Sequence, residues 1–228
     1  MPSTQSSRDP DVPNAPNAPA WRSPAAWAVL LVVFTLALAA DLGTKSWSFR
    51  TVGDRPVVLD REQLLANPRY DPVGFGMRRA ALPADLLDFK LVLNPGAVFG
   101  LGANQRWFFV AFTIGALAVG LHVFAHYTDR RSFIAHIAIA MILAGGIGNL
   151  YDRLAFGRVR DFIHALPGRR LPFGWTWPGG SDQLYPWIFN IADAGMCVAL
   201  LMLLIVMYRG ERSDEATERR NDEGVPSS

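Results

Sequence analysis

Uncharged, mostly apolar stretches alternate with polar segments along this chain. Residues 23–40, 107–128 and 132–151 contain no charged side chain, and residues 183–208 contain a single one, Asp193. A helix that crosses a bilayer needs about 20 apolar residues, and a soluble core does not require four such runs. The pattern therefore predicts a membrane all-α protein with four transmembrane helices. The expected spans are about 24–44, 106–128, 132–151 and 186–208.

Two polar tails flank this four-span unit, which is expected to occupy residues 23–208. Residues 1–22 are rich in Pro, Asn and Ser, and residues 209–228 are charged, so both tails are expected to be disordered. Four spans place both tails on one side of the membrane. The short turn Asp129–Arg131 weakly favours the cytoplasm for that side, because short basic loops stay inside. The Arg residues of the last long loop argue the other way.

Two long loops, 45–105 and 152–185, should lie on the opposite side of the membrane. Strand-like pieces at 56–59 and 86–93 predict a small β-sheet at the membrane surface. The second loop is rich in Trp, a residue that suits the membrane–water interface.

Composition narrows the protein class further. The chain has 228 residues, 18% of them charged, a net charge of +2 and one Cys. These values exclude a disulfide-stapled secreted module, a wholly disordered chain and a basic nucleic-acid binder. The first apolar run has a second interpretation, because Arg22 precedes it and small residues end it at Ala37–Ala40. That arrangement also fits a cleavable signal peptide.

Polar residues gather where the apolar runs end, on the membrane face opposite the tails. Most of these residues can be explained as members of an ion pair, as helix caps or as solvated loop acids. Asp193 is harder to explain in this way, because it lies inside an apolar run, where a carboxylate is costly in free energy. Asp161, which follows a short Gly-containing turn, is the acid whose position best matches it. The group comprises Asp41, Lys45, Asn94, Asn149, Asp152, Arg153, Asp161, Asn190 and Asp193.

Two neighbouring carboxylates in a half-dry site cannot both ionise, so one keeps a proton while the other accepts one. Such a pair hydrolyses peptides without a metal or a nucleophilic side chain. Other protease chemistries lack their residues, since His122 and His126 have no accompanying Glu and no serine elbow occurs. Cys197 is interpreted as a packing residue. The sequence predicts no metal and no cofactor.

Five sequence blocks in this order resemble the motifs of lipoprotein signal peptidase, also called signal peptidase II. The resemblance runs from about residue 25 to 208. The blocks are Asp41–Lys45, Asn94–Gly100, Gly145–Arg153, Gly157–Ile163 and Phe189–Asp193.

The resemblance implies a bacterial inner-membrane aspartic protease with cytoplasmic tails and an extracytoplasmic β-sheet cradle and active site. Such enzymes remove signal peptides from prolipoproteins, cleaving just before a Cys that carries diacylglyceryl, and globomycin-type cyclic peptides inhibit them. Asp161 and Asp193 match the family's catalytic aspartates, and the first span should stay uncleaved. Expected partners are the prolipoprotein substrate and membrane lipids, but no nucleic acid. The expected supporting residues are Asp41, Lys45, Asn94, Gly96, Asn149, Asp152, Arg153, Asn190 and Ala192.

The chain departs from the family pattern at several positions. Leu42 replaces a common polar residue, Val98 replaces a usual alanine, and the loops 46–90 and 164–187 are longer than is typical. Two alternatives stay open from the residues alone. One is a small proton- or ion-coupled carrier, since intramembrane acids also mark ion pathways. The other is a non-catalytic membrane anchor that keeps this fold.

Overall fold

The computed structural model describes residues 18–74, 77–83, 85–96 and 105–223, with side chains as far as residue 209. Val98 and the rest of 97–104, residues 1–17 and residues 224–228 lie outside the described part. Four long helices and a small antiparallel sheet form the fold, with one short helix in the first loop. The helices are α1 (Pro24–Thr51), α2 (Arg61–Ala66), α3 (Arg106–Tyr127), α4 (Phe133–Phe156) and α5 (Ile191–Glu223). The strands are β1 (Arg78–Leu82), β2 (Leu87–Asn94), β3 (Val159–Ala165) and β4 (Ile188–Phe189).

Four of these helices are long and apolar enough to cross a membrane, namely α1, α3, α4 and the Ile191–Arg209 part of α5. This result confirms the predicted fold class. Helix α4 is the centre of the bundle, because α1, α3 and α5 all pack against it. Within its membrane window 61% of the residues are buried, against 17% or less in the other three helices, whose outer faces are free to contact lipid.

The helix ends differ from the spans expected from hydropathy. Helix α1 continues past residue 44 to Thr51, and α5 begins at Ile191 rather than at 186, because β4 occupies the start of that run. Helix α5 also continues to Glu223, where a disordered tail was expected from residue 209. Apolar content locates the membrane-crossing part of a helix, but backbone hydrogen bonding carries the helix into water.

Local chemistry explains the clear helix boundaries. Pro24 occupies the first turn of α1, and the Ser23 side chain accepts a hydrogen bond from the Ala26 N–H at 3.3 Å, which caps the helix. Helix α4 stops at Gly157, whose φ of 74° is readily adopted only without a β-carbon. This sharp stop turns the chain directly from α4 into β3.

The sheet has the order β1–β2–β3–β4, with antiparallel neighbours throughout. Val92 of β2 pairs with Asp161 of β3, and Ile163 pairs with Phe189 of β4. The predicted strand at 86–93 is thus confirmed as β2. The predicted strand at 56–59 is wrong, since these residues form no strand.

A small apolar core joins the sheet to the end of α1. Phe49 of α1 and Val52, which directly follows that helix, pack with Leu91 and Phe162 of the sheet, and Leu64 of α2 joins them. The long first loop is also held by Arg158, which directly precedes β3 and whose guanidinium donates to the carbonyls of Tyr70 and Pro68. The loop is therefore folded against the sheet.

Backbone hydrogen bonds close the opposite end of the bundle. The Ala20 N–H donates to the Thr128 carbonyl at 2.9 Å, and the Arg130 N–H donates to the Ala18 carbonyl at 2.9 Å. The segment that precedes α1 is thereby fixed to the turn between α3 and α4. This end of the molecule is separated from the sheet by the full length of the spans.

Candidate active site

The site begins at the first turn of α5. The Asp193 N–H donates to the Asn190 side-chain carbonyl at 3.1 Å, and the Asp193 carboxylate accepts the Asn190 N–H at 3.1 Å. This reciprocal exchange is a capping box, with Asp in the place more often taken by Glu. It satisfies two backbone N–H groups at the helix start and holds Asp193 beside β4. The positive end of the helix dipole further favours a carboxylate there.

Asp161 reaches the same place from β3. It is 2% exposed, and both carboxylate oxygens accept side-chain amide N–H groups. Asn190 donates at 2.7 Å and Asn94, the last residue of β2, donates at 2.9 Å. Asn190 thus contacts both acids, since its backbone N–H bonds Asp193 and its side-chain amide bonds Asp161.

The third amide of the site comes from the middle of the bundle. Asn149 of α4 donates to the Asp193 carboxylate at 2.9 Å. Its carbonyl oxygen accepts from Asn190 at 3.2 Å and from the Lys45 ammonium at 2.8 Å. Because each amide has one donor end and one acceptor end, this network fixes the orientation of all the groups involved.

Lys45 lies between two supporting carboxylates. Its ammonium is 2.7 Å from Asp41 on the same helix and 3.6 Å from Asp152 on α4, and all three side chains are buried. Asp41 also accepts the Ala192 N–H of α5 at 3.2 Å. The cluster therefore joins α1, α4 and α5 beneath the paired acids.

Asp152 has a further partner that sequence reasoning missed. Arg160 donates to it through two guanidinium nitrogens, at 3.0 and 2.7 Å, and through its own backbone N–H at 3.0 Å. Arg160 directly precedes Asp161 in β3. The available signal was Arg160 itself, which stands beside Asp161 and eight residues after the carboxylate of Asp152.

Close helix packing at this level depends on glycine. A β-carbon on Gly148 of α4 would lie 2.1 Å from the Asp41 carboxylate, and one on Gly145 would lie 2.8 Å from the Met196 side chain. The glycines of this segment therefore form a close packing surface, against α1 through Gly148 and against α5 through Gly145.

The two remaining predicted residues lie beside the network. The Gly96 N–H donates to the Asn94 side-chain carbonyl at 3.0 Å, which turns the amide of Asn94 toward Asp161. The Arg153 guanidinium donates to the Asn149 backbone carbonyl at 3.3 Å and covers the ring of Phe109. Its charge also interacts with both acids of the pair.

The pKa of Asp161, the acid on β3, is shifted from its ordinary value. Burial, and secondarily the negative charge of Asp193, raise the pKa of Asp161 from its ordinary 3.8 to about 7. The amide donors from Asn94 and Asn190 oppose this rise without cancelling it. Near neutral pH, Asp161 can therefore hold or release a proton.

The site combines two carboxyl groups, of which Asp161 can carry a proton near neutral pH, with three side-chain amides that donate hydrogen bonds to them. Among the described residues no cluster of His, Cys, Asp and Glu is suited to hold a metal ion. Fold and site together define a multi-pass membrane protein with one buried aspartate, Asp161, and one half-buried aspartate, Asp193, where the spans meet a small sheet.

Comparisons with known proteins agree with this class. The family model of signal peptidase (SPase) II matches residues 33–209. Lipoprotein signal peptidase of Desulfitobacterium hafniense is 30% identical over 134 residues, which cover 59% of this chain and 77% of the relative. That of Pseudomonas fluorescens is 35% identical over 136 residues, covering 58% and 72%.

Solved structures show the same fold. A bacterial membrane enzyme determined by the in meso method at 2.3 Å superimposes with a TM-score of 0.57 and 22% identity, over 80% of this chain and 88% of that one. A second, determined at 1.9 Å, gives a TM-score of 0.55. The chain belongs to the signal peptidase II family and is a peptidase of the lipoprotein-processing type.

Proposed function

We propose that this protein is an aspartic endopeptidase that removes the signal peptide of prolipoproteins, cutting just before a diacylglyceryl-modified Cys. Asp161 and Asp193 are its catalytic pair. The observation that carries the proposal is the bridge through Asn190, whose side-chain amide bonds Asp161 and whose backbone N–H bonds Asp193. A single residue thereby holds two acids from separate elements at one point.

The charge states support a division of labour within the pair. Asp161, whose pKa burial and the negative charge of Asp193 raise to about 7, carries the proton, and we assign the role of base to Asp193 at the start of the helix. Asp193 takes a proton from water as the water oxygen attacks the scissile carbonyl carbon, while Asp161 gives its proton to the carbonyl oxygen. When the tetrahedral intermediate collapses, Asp161 takes a proton back from one of its hydroxyls as C=O re-forms, the C–N bond breaks, and Asp193 passes its proton to the leaving amine.

The side-chain amides orient the two carboxylates for this chemistry. Asn94 and Asn190 each donate to one oxygen of Asp161, while Asn149 and the Asn190 backbone N–H each donate to one oxygen of Asp193. In the proposed mechanism the remaining lone pairs serve the reacting groups. Lys45, Asp41 and Asp152 join the three helices around Asn149 and Asn190, so they act as positioning residues.

The placement of the site at a span end suits a substrate anchored in lipid. The acyl chains of the prolipoprotein stay in the bilayer while the backbone at the cleavage site reaches the acids. We place the site on the extracytoplasmic face of a bacterial inner membrane, with α1 retained as an uncleaved span. Inhibition by globomycin-type cyclic peptides belongs to the same proposal.

The test uses the purified full chain in liposomes with a diacylglyceryl prolipoprotein. Asp161→Asn and Asp193→Asn should each abolish cleavage while the protein stays folded. Asp54→Asn is the matched control, because this carboxylate is exposed in the first loop and should be dispensable. Cleavage by either site variant at the unmodified rate would contradict the proposal. Proton uptake by the liposomes without any cleavage would favour a carrier instead.

A further inference from the structure

The long second loop forms an ordered hairpin between the two acids of the site. The Leu171 N–H donates to the Asp182 carbonyl at 2.8 Å, and the Leu184 N–H donates to the Arg169 carbonyl at 2.7 Å. We call residues 169–184 the aromatic hairpin. An ion pair between Arg170 and Asp182 reinforces its two arms.

The tip of the aromatic hairpin is uncharged and carries exposed rings. Residues 171–181 contain no Asp, Glu, Lys or Arg. Phe173 is 89% exposed and Trp175 is 65% exposed, with their ring centroids 6.0 Å apart. Phe173 also has a φ of 61°, a conformation that a bulky residue rarely adopts. Two large adjacent rings in water are unfavourable unless another phase covers them.

Aromatic contacts fix the hairpin, through Trp177, to the segment that leads into the sheet. Trp177 packs edge-on against Trp187 at 4.7 Å, Tyr185 packs against Trp187 at 5.3 Å, and Tyr185 also reaches Phe189 of β4 at 5.9 Å. The indole N–H of Trp177 donates to the Gln183 carbonyl at 2.9 Å. The hairpin therefore moves with β4.

Strand β4 is joined to the membrane by a single residue. Asn190 separates Phe189 from Ile191, where the last span begins. The base of the hairpin thus lies at the level at which α5 leaves the bilayer. Trp and neighbouring aromatic rings are the side chains that prefer this headgroup region, where they combine an apolar body with a polar edge.

We propose that the tip of the aromatic hairpin is immersed in the headgroup region of the bilayer, on the sheet side of the membrane, with Phe173 and Trp175 as its anchors. The occupant of this apolar surface is therefore lipid, which is continuous with the surface already covered around α5. Through β4, the anchor fixes the depth at which the site sits relative to the membrane surface.

The test measures depth and needs no activity. In a Cys197→Ala background, Trp175→Cys carries an environment-sensitive fluorophore, and the full chain is reconstituted in phosphatidylcholine–phosphatidylglycerol liposomes. Glu62→Cys is the matched control, since Glu62 is exposed on α2 of the other loop. The label at 175 should be quenched by lipids brominated near the headgroup and several-fold less by aqueous iodide than the label at 62.

A second variant tests the anchors themselves. With the label at Thr176→Cys, replacing Phe173 and Trp175 together by Ser should make the fluorophore more accessible to iodide, and both exposed positions tolerate Ser without loss of folding. Equal iodide access at 175 and 62 would overturn the proposal. Shielding that arises only after a diacylated peptide is added would also overturn it, because the rings would then contact substrate rather than bilayer.

Discussion

The carboxylate of Asp152 accepts three hydrogen bonds from Arg160, two from the guanidinium and one from the backbone N–H. The contact fastens the first half of β3 to the last turn of α4, one residue before Asp161. Lys45 lies 3.6 Å from the same carboxylate, so Asp152 is shared between the strand and α1. The proton-carrying acid of the pair is therefore positioned by an ion pair on the opposite face of its own strand.

Arg160→Gln should lower both stability and activity. The change removes a charged, two-point contact to a buried carboxylate, and bonds of this kind contribute about 1.5–3 kcal/mol each. Thermal unfolding in detergent and kcat for cleavage should both fall, with kcat falling more than KM rises, because Asp161 shifts rather than the substrate-binding surface. Arg160→Lys should recover part of kcat. Unchanged kcat in Arg160→Gln would show that β3 is held without this pair.

Lys45→Met should be severely destabilising. It leaves the buried carboxylates of Asp41 and Asp152 without their shared cation, and removing one partner of a buried pair typically costs about 3–5 kcal/mol. The double variant Asp41→Asn/Lys45→Met should unfold at a higher temperature than Lys45→Met alone, because one uncompensated charge is gone. Thermal unfolding of the two variants side by side checks this. Additive losses in the double variant would argue against the charge explanation.

Gly148→Ala should weaken the contact between α1 and α4. Its β-carbon would collide with Asp41, whose carboxylate is held by Lys45 and Ala192, and overpacking of this sort costs about 1–3 kcal/mol. Gly115→Ala in α3 is the matched control, because nothing lies within 4 Å of its β-carbon. The control should be neutral or slightly stabilising, since Ala favours helix over Gly. Equal melting temperatures for the two variants would contradict the close approach.

The activity should decline as the pH rises through about 7, where Asp161 loses the proton that it donates. Stability should follow the same direction. Because the pKa of Asp161 is raised on folding, the folded state binds more protons than the unfolded state between pH 3.8 and about 7. The contribution of Asp161 to stability therefore falls as the pH rises across that window.

Asp161→Asn checks the sign of this effect. The amide stays neutral at every pH, so the decline attributable to position 161 should disappear from melting temperatures measured between pH 5 and 8. The NH₂ group of the variant faces another amide donor, so the variant also loses a hydrogen bond. The change of melting temperature with pH, rather than the melting temperature itself, is therefore the quantity to compare. An identical slope in both proteins would remove Asp161 as its source.

The helix bundle and the pairing of Asp161 with Asp193 could be predicted from the sequence, because both follow from the free-energy cost of placing polar groups in a membrane. Four uncharged runs long enough to cross a bilayer indicate membrane-spanning helices. A carboxylate such as Asp193 inside one of these runs needs a partner. Polar residues at the ends of adjacent spans must lie on one face of the membrane. These arguments need only distances along the chain.

The packing of the loops could not be predicted from the sequence in this way. Arg160 alternates with Asp161 along the strand and points to the opposite face, so hydropathy and spacing do not show that it turns back to Asp152. The hydrogen bonds from Arg158 to two loop carbonyls likewise depend on the path of the first loop. The prediction of a strand at 56–59 failed because the Val57 N–H donates to the Phe49 carbonyl at the end of α1, and Val57 and Leu59 pack against the small core without pairing in the sheet.

The backbone bridge between residues 18–20 and 128–130 has a practical consequence for work with this enzyme. It pins the chain just before α1 at the end of the bundle farthest from the sheet, so a label or fusion partner attached upstream of residue 18 is held a full membrane thickness away from the paired acids. Immobilising the protein through that end would leave the end with the paired acids facing the solution, which suits surface-based inhibitor screening.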